Sequence, residues 1–357
     1  MMIETVLSPV SPESLAMAGK LFREGQIVAF PTETVYGLGA WAMSREGIRR
    51  IYEAKGRPSD NPLIVHVAPG MSLEGLAGEI PEKAKILMEK FWPGPLTMIF
   101  PKGDRILPEV TGGLDTVAIR MPSHPVAMKL IESCGLPIVA PSANTSGRPS
   151  PTTAQHVLED LSGKVPLILD GGPCSVGLES TIVDLTGEVP MILRPGAITE
   201  EMLQEALGEV TVDPAVAAAV SLAKDIKPKA PGMKYRHYAP KGRLIITDYP
   251  AGDIASWIRE DEKLPGEKLG LIGSSEWLDE IMNHLAESHE DQSICRIDLG
   301  KREDKQQIAA ALFDALRRAD ETGLTKMYGE AFAREDLGEA IMNRFLKASS
   351  ERRFIKR

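Results

Sequence analysis

Eight residues, Lys55-Gly56-Arg57-Pro58-Ser59-Asp60-Asn61-Pro62, force the chain to stop one element and start another. Upstream, Ser44 is placed to cap a helix whose apolar positions Ile48, Ile51 and Tyr52 recur at i, i+3 and i+4. Lys55 falls in the last turn of that helix, and Gly56 at the usual C-terminal stop. Pro58 and Pro62 stiffen the loop and hold residues 57 and 61 extended. Downstream, Leu63-Ile64-Val65-His66-Val67 reads as a strand. Arg57 and Asn61 are therefore expected to be displayed on a stiff turn. Taken alone, this turn reads equally as an ordinary helix-to-strand connection with solvated cations.

Similar alternation runs along the whole chain. Helical patterns at 11–24, 81–91, 125–134, 153–161 and 199–207 interleave with strand-like runs at 26–30, 96–100, 116–121, 137–140, 167–170, 181–184 and 191–194. From 243 to 348 the alternation is cleaner, with strands at 244–247, 269–272, 294–298 and 326–331 separated by helices. That order predicts a parallel sheet covered by helices. A chain of 357 residues is long enough for two cores, and 43% hydrophobic with 25% charged residues is ordinary globular composition. We divide it into an α/β domain over 1–208, a basic linker over 209–242 and a smaller parallel-sheet domain over 243–357. The second domain offers no cluster of catalytic groups, and the tail Arg352-Arg353…Lys356-Arg357 reads as a solvated basic end.

The net charge of −9 argues against a surface coated for nucleic acid, while allowing a local basic cleft. Cys134, Cys174 and Cys295 lie far apart, without a C-x-x-C pair, and read as small apolar side chains in a reducing compartment. No apolar run approaches membrane-spanning length, and the N-terminus carries Glu4 and no basic start. A soluble, cytoplasmic protein is expected. Neither a Walker A loop nor a G-x-G-x-x-G turn is present, so a nucleotide would have to bind by another route.

Polar groups gather where strands end. Pro31-Thr32-Glu33-Thr34-Val35-Tyr36-Gly37-Leu38-Gly39 leaves one strand through hydroxyls and two glycines. Arg120 ends the run Thr116–Ile119, and burying it alone is costly, so it either pairs with a protein carboxylate or waits for an anionic ligand. Pro141-Ser142-Ala143-Asn144 opens a hydroxyl-rich loop that runs through Ser150 to a helix start, a place suited to an anion. Ser180 and Arg194 stand at two further strand ends. Between Lys224 and Arg243 there are seven Lys or Arg and one Asp, and the centre, Met233-Lys234-Tyr235-Arg236-His237-Tyr238, mixes cations with aromatics. Plain linkers seldom do so, and this one reads as a segment that folds over an anionic ligand.

Six stretches in order carry a resemblance: Pro31–Leu38, Lys55-Gly56-Arg57-Pro58 with Asn61-Pro62-Leu63, Trp92-Pro93-Gly94-Pro95-Leu96-Thr97, Arg120-Met121-Pro122, Pro141–Asn144 and Ser180-Thr181. Together they resemble the YrdC/TsaC family of threonylcarbamoyl-adenylate synthases. The linker Pro231–Pro240 and the alternating second half resemble its two-domain, Sua-type branch. The resemblance implies a twisted mixed α/β sheet around a basic cavity, followed by a Rossmann-like domain. It implies a nucleotidyltransferase that makes threonylcarbamoyl-AMP and pyrophosphate from ATP, L-threonine and bicarbonate. A threonylcarbamoyl transferase complex of the TsaD type would then use the product to modify tRNA.

Carried over residue by residue, the resemblance sets Lys55 and Arg57 as catalytic cations on the triphosphate. It adds Asn61, Thr116, Ser142, Ser150, Arg194 and Tyr235 around ATP. It sets Thr34, His66, Arg120, Ala140 and Ser180 around threonine, with Arg120 suited to grip the carboxylate in two places. Mg²⁺ is expected with ATP, held mainly by phosphates and water. Two rivals are carbamoyl transfer from carbamoyl-adenylate and a non-catalytic module that binds double-stranded RNA. The first usually comes with acylphosphatase-like and zinc-finger modules, which this sequence lacks, and the second has no need of a threonine-shaped polar set.

Overall fold

The first part of the chain builds β1 (Val6–Pro9), α1 (Pro12–Arg23), β2 (Val28–Phe30), β3 (Gly37–Trp41), α2 (Arg45–Lys55), β4 (Ile64–His66), α3 (Glu82–Phe91), β5 (Leu96–Pro101), α4 (Pro108–Thr111), β6 (Thr116–Arg120) and α5 (Pro125–Cys134). It continues with β7 (Ile138–Val139), α6 (Ala154–Leu161), β8 (Leu167–Asp170), β9 (Thr181–Asp184), β10 (Met191–Arg194), α7 (Glu200–Leu207), β11 (Thr211–Val212) and α8 (Pro214–Ala217). This computed structural model describes residues 3–217, 228–231, 238–261, 266–286 and 294–355. The chain falls into two units, Met1–Ser146 with Ser150–Tyr235, and Gly147–Pro149 with Arg236–Arg357.

Local chemistry accounts for the element ends around the central loop. Ser44 accepts a hydrogen bond from the Gly47 N–H at the start of α2, and Gly56 closes it in the left-handed region at φ 60°. Ile48 and Ile51 are fully buried, which stabilises this helix by about 1.5–3 kcal/mol for each side chain. Tyr52 donates from its hydroxyl to the carbonyls of Asn61 (3.2 Å) and Glu109 (3.0 Å), tying the loop down.

The eleven strands run β1-β8-β2-β3-β7-β4-β6-β5-β9-β10-β11 in one mixed sheet. Helices α2, α3, α6 and α7 cover one face. There Val65, Met98, Val117, Ile119 and Val183 share a buried cluster with Ile48, Leu87, Val157 and Leu203. On the other face α1 and α5 cover only the half built by β8, β2 and β7, with Phe22, Leu130 and Ile131 against Val28, Phe30, Leu167 and Ile138. The remaining half-face presents Ile64, Ala118, Ile99, Ile182 and Leu193, and Ala230 is laid on them. Among the described residues, no helix contributes to that last cluster.

Several elements depart from the sequence expectation: β1, α4 and α8 were not anticipated, and two strands differ from their reading. Residues 37–41 form β3, antiparallel to β2, where the sequence was read only as a polar exit from the preceding strand. A Cβ on Gly39 would lie 2.7 Å from the Phe30 ring and 2.9 Å from Ile138, so close approach of neighbours, not chain reversal, requires the glycine there. Thr211–Val212 adds a short parallel edge strand to β10 within the stretch read as linker.

The second unit comprises β12 (Arg243–Thr247), α9 (Ala251–Asp261), β13 (Leu269–Gly273), α10 (Ser275–Ala286), β14 (Cys295–Asp298), α11 (Lys305–Glu321), β15 (Lys326–Glu330), α12 (Leu337–Ala348) and β16 (Glu351–Arg353). Its strands are all parallel, in the order β14-β13-β15-β12-β16. Helices α9 and α10 pack on the face carrying Ile245, Leu271 and Tyr328. Gly329 faces the opposite way, where a Cβ would stand 2.7 Å from the ring of Phe345 on α12. The basic tail is not simply solvated: Glu351–Arg353 adds a strand beside β12, and the Arg353 guanidinium lies 4.8 Å from the Trp257 ring centre.

Candidate active site

Strand alternation decides which side chains reach the half-face without a helix. In β6, Val117 and Ile119 enter the helix-covered core, so Thr116, Ala118 and Arg120 point the other way. Register then aligns a row across three strands, His66 opposite Arg120 and Arg120 opposite Thr97. Next along, the Thr97 and Ser180 hydroxyls are 2.8 Å apart. A bulge in β10 between Ile192 and Arg194 sets Arg194 opposite Ile182, which brings its guanidinium onto this face. Arg194 donates to the Ser180 carbonyl (2.9 Å) and hydroxyl (3.0 Å).

Arg120 has a protein carboxylate beside it. It is 4% exposed, and its guanidinium lies 2.6 Å from a carboxylate oxygen of Glu33. It also donates to the Thr34 hydroxyl at 2.9 Å and to the Gly94 carbonyl at 3.3 Å. Burial alone would raise the Glu33 carboxyl, but the charge and hydrogen bonding of Arg120 hold it below the usual carboxylate value. Thr32 braces the same loop, its hydroxyl 2.8 Å from that of Thr34 and donating to the Val35 carbonyl at 2.7 Å.

His66 is buried beside this pair, with Nδ1 3.1 Å from the Ile64 carbonyl. Burial, and then the nearby Arg120 charge, push its pKa down to about 3. The ring is therefore neutral near pH 7 and too weak a base to take up a proton there. Ala140 follows β7, and its Cβ would lie 3.2 Å from a Cβ placed on Gly37. Thr34, His66, Arg120, Ala140 and Ser180 thus border one stretch of sheet.

The second set centres on Lys55. This side chain is buried, and its ammonium donates to the carbonyls of Ser142 and Asn144, the latter at 2.6 Å. Burial and the neighbouring Arg57 charge hold its pKa well below the usual lysine value. The Ser142 hydroxyl donates to the Asn144 side-chain oxygen, and Ser150 donates to Glu179 at 2.6 Å. Arg57 folds back onto its own loop and donates to the Pro62 carbonyl at 2.9 Å. Asn61 is buried instead of displayed on the turn, and its side-chain oxygen meets no hydrogen-bond partner. Thr116 stands four residues from Arg120 on the same side of β6, about 13 Å away at the usual strand rise. Tyr235 lies outside the described residues, as does most of the linker. The short piece at 228–231 is described: Ala230 is fully buried on the half-face, and Lys229 pairs with Asp184 at 3.2 Å.

Sequence reasoning assigned no role to Glu33, Thr97 or Glu179. The dense Thr32-Glu33-Thr34 run was the available signal for the first. Thr97 shows only as a polar residue on the inward alternation of an apolar strand. Among the described residues no group of three or more His, Cys, Asp or Glu is placed to hold a metal ion, and no helix is long and apolar enough to cross a membrane.

Comparison with known proteins bears on the whole chain. Residues 20–196 match the family model Sua5_yciO_yrdC, described as "Telomere recombination", and residues 198–350 match "Threonylcarbamoyl-AMP synthase, C-terminal domain". The chain is 45% identical to the threonylcarbamoyl-AMP synthase of Pyrococcus abyssi, covering 95% of this chain and 94% of that protein. It is 46% identical to the threonylcarbamoyl-AMP synthase of Bacillus subtilis, covering 97% and 95%. Among solved structures it is similar to P. abyssi Sua5 complexed with L-threonine, with a TM-score of 0.88 and 44% identity over 100% of both chains.

Proposed function

Because the chain belongs to the Sua5 family, whose curated members are named threonylcarbamoyl-AMP synthases, we propose that it makes threonylcarbamoyl-AMP and pyrophosphate from L-threonine, bicarbonate and ATP. The observation that carries this reading is the full-length likeness to a Sua5 structure complexed with L-threonine. The half-face lends support of its own, since His66, Arg120, Thr97, Ser180 and Arg194 stand side by side across its strands.

In this reading threonine occupies the end bordered by Thr34, His66, Arg120, Ala140 and Ser180. Arg120 grips the carboxylate in two places. Glu33 keeps the guanidinium oriented and offsets its charge while the pocket is empty. The hydroxyls of Thr34 and Ser180 recognise the threonine hydroxyl, small Ala140 leaves room for the methyl, and neutral His66 is a positioning contact and not a general base. The nucleotide extends from there past Asn61, Ser142, Ser150 and Arg194 toward Thr116, and Tyr235 is assigned to the same ligand from the sequence resemblance alone. Asn61 gains the partner its side-chain oxygen lacks.

The threonine amine and bicarbonate condense to a carbamate with loss of water; a carbamate oxygen then attacks the α-phosphorus, its oxygen–phosphorus bond forms, and pyrophosphate leaves with the electrons of the broken bond. Lys55, Arg57 and Arg194 offset the negative charge at the phosphates, so the chain supplies position and charge in place of covalent chemistry. Arrival of phosphate also raises the depressed Lys55 pKa, because a nearby anion favours the ammonium. Mg²⁺ would enter this reading as a charge carried on the nucleotide, held by its phosphates and water. The segment carrying Ala230 excludes water from the reactive anhydride. The product passes in the cytoplasm to a TsaD-type threonylcarbamoyl transferase acting on tRNA. Contact of this chain itself with tRNA or other double-stranded RNA is read out by salt-dependent retention.

Purified chain given ATP and Mg²⁺ tests the proposal. Pyrophosphate should appear only when threonine and bicarbonate are both present, and Lys55→Ala or Arg57→Ala should lower its rate by ~10²-fold. Pyrophosphate released without threonine, or none at all, contradicts it.

A further inference from the structure

We propose that the second unit holds a separate small-molecule site, built for a free amino acid, at the carboxyl ends of its parallel strands. Nothing in the reading of the first unit requires such a site. In open α/β sheets ligands settle outside the strand ends where successive connections depart to opposite faces. Here β12 and β13 lead into α9 and α10 on one face, while β15, lying between those two strands, leads into α12 on the other. The divergence opens a cavity of about 340 Å³ lined by Asp248, Tyr249, Trp277, Arg302, Lys305 and Glu330 among others. That volume lies in the range of small-ligand pockets.

The floor is a fixed carboxylate. Glu330, the last residue of the central strand, is 5% exposed and accepts from the Ser274 N–H at 2.7 Å and from Arg302 Nε at 2.8 Å. A carboxylate has about four acceptor positions, so two are left for a ligand. The backbone is shaped to the cavity. A Cβ on Gly273 would lie 2.5 Å from the Trp277 ring and 3.0 Å from Glu330, and one on Gly338 would lie 1.9 Å from the Ala333 carbonyl. Asp336, in the connection after β15, adopts φ +51°, a costly conformation for a residue with a side chain, and such strain collects at functional sites.

Charge selects the ligand class. The lining carries three carboxylates, Asp248, Glu280 and Glu330, against the two cations Arg302 and Lys305. That excess disfavours a phosphate dianion. Asp248 and Pro250 occupy the turn after β12, where a phosphate would need backbone N–H groups, and proline has none. An ammonium meets Glu330 and Asp248, the latter already accepting from the Ile355 N–H at 2.8 Å; a carboxylate meets Lys305 and Arg302 in competition with the Glu335 carbonyl (2.9 Å from Lys305) and with Glu280 (3.5 Å from Arg302). A zwitterionic amino acid uses both signs at once, with Tyr249 and Trp277 as apolar contacts for its side chain.

The test adds individual amino acids to the full chain and follows backbone hydrogen exchange by mass spectrometry at 247–251 and 330–336. Ethanolamine and AMP serve as comparison ligands. At least one amino acid should slow exchange in both segments, with Glu330→Gln, Asp248→Asn and Lys305→Met each weakening the effect about tenfold or more, the scale of one lost charged hydrogen bond. Asp248→Asn and Lys305→Met decide the matter should Glu330→Gln unfold. Protection by no amino acid, equal protection by ethanolamine or AMP, or protection unchanged in those variants overturns the proposal.

Discussion

Arg120 and Glu33 are buried against each other, so removing one leaves the other charged and without its counter-ion. Arg120→Met is therefore expected to cost about 3–5 kcal/mol of stability by urea unfolding. Adding Glu33→Gln should recover much of that loss without restoring threonine-dependent turnover, which separates the structural role from the binding role. His66 gives a pH signature. Its pKa is about 3 in the fold against an ordinary 6.5, so below about pH 6.5 the unfolded chain takes up a proton that the folded chain refuses. Stability must then fall as pH drops from 6.5 toward 3, by up to ~1.4 kcal/mol per pH unit from this residue. His124, also depressed by burial, acts in the same direction. Urea midpoints of His66→Asn should fall less steeply than those of the parent between about pH 6 and 5; an unchanged slope contradicts the buried neutral ring. The sequence marked Arg120 and Ser180 as polar groups at strand ends and Lys55 as the cation in the last turn of its helix. The partner of Arg120 was not, because Glu33 lies 87 residues away and only the sheet order brings the two together.

The helix and loop around Gly56 were legible for the opposite reason, since every signal there is local. Ser44 caps, Gly56 stops, and Pro58 and Pro62 fix the turn, all within one short stretch. Ser44→Ala should lower stability by about 1 kcal/mol in thermal or urea unfolding while pyrophosphate release continues. β3 was missed because Gly37-Leu38-Gly39 lacks the branched residues of a typical strand. Its glycines are set by Phe30 and Ile138, which belong to other elements. The bulge that turns Arg194 onto the half-face is likewise a property of the pairing between β9 and β10 and leaves no mark in either strand alone.

For the whole molecule, the alternation of strands and helices over 243–348 anticipated a parallel sheet, because that connectivity has few alternatives. The eleven-stranded order of the first unit was not foreseeable at that level, since mixed pairing admits many arrangements. A chain ending at Ala217 retains every strand of the first sheet and loses the cover that Ala230 places on the half-face. It should fold, as judged by cooperative unfolding, yet release pyrophosphate much more slowly than the full chain; equal turnover contradicts a covering role. The most direct measurement is a crystal structure of the full chain soaked with L-threonine and a non-hydrolysable ATP analogue. The account predicts both molecules on the half-face, threonine against Arg120, Thr34 and Ser180 and the phosphates against Lys55, Arg57 and Arg194. Ligands bound far apart, or those side chains directed at different surfaces, would contradict it.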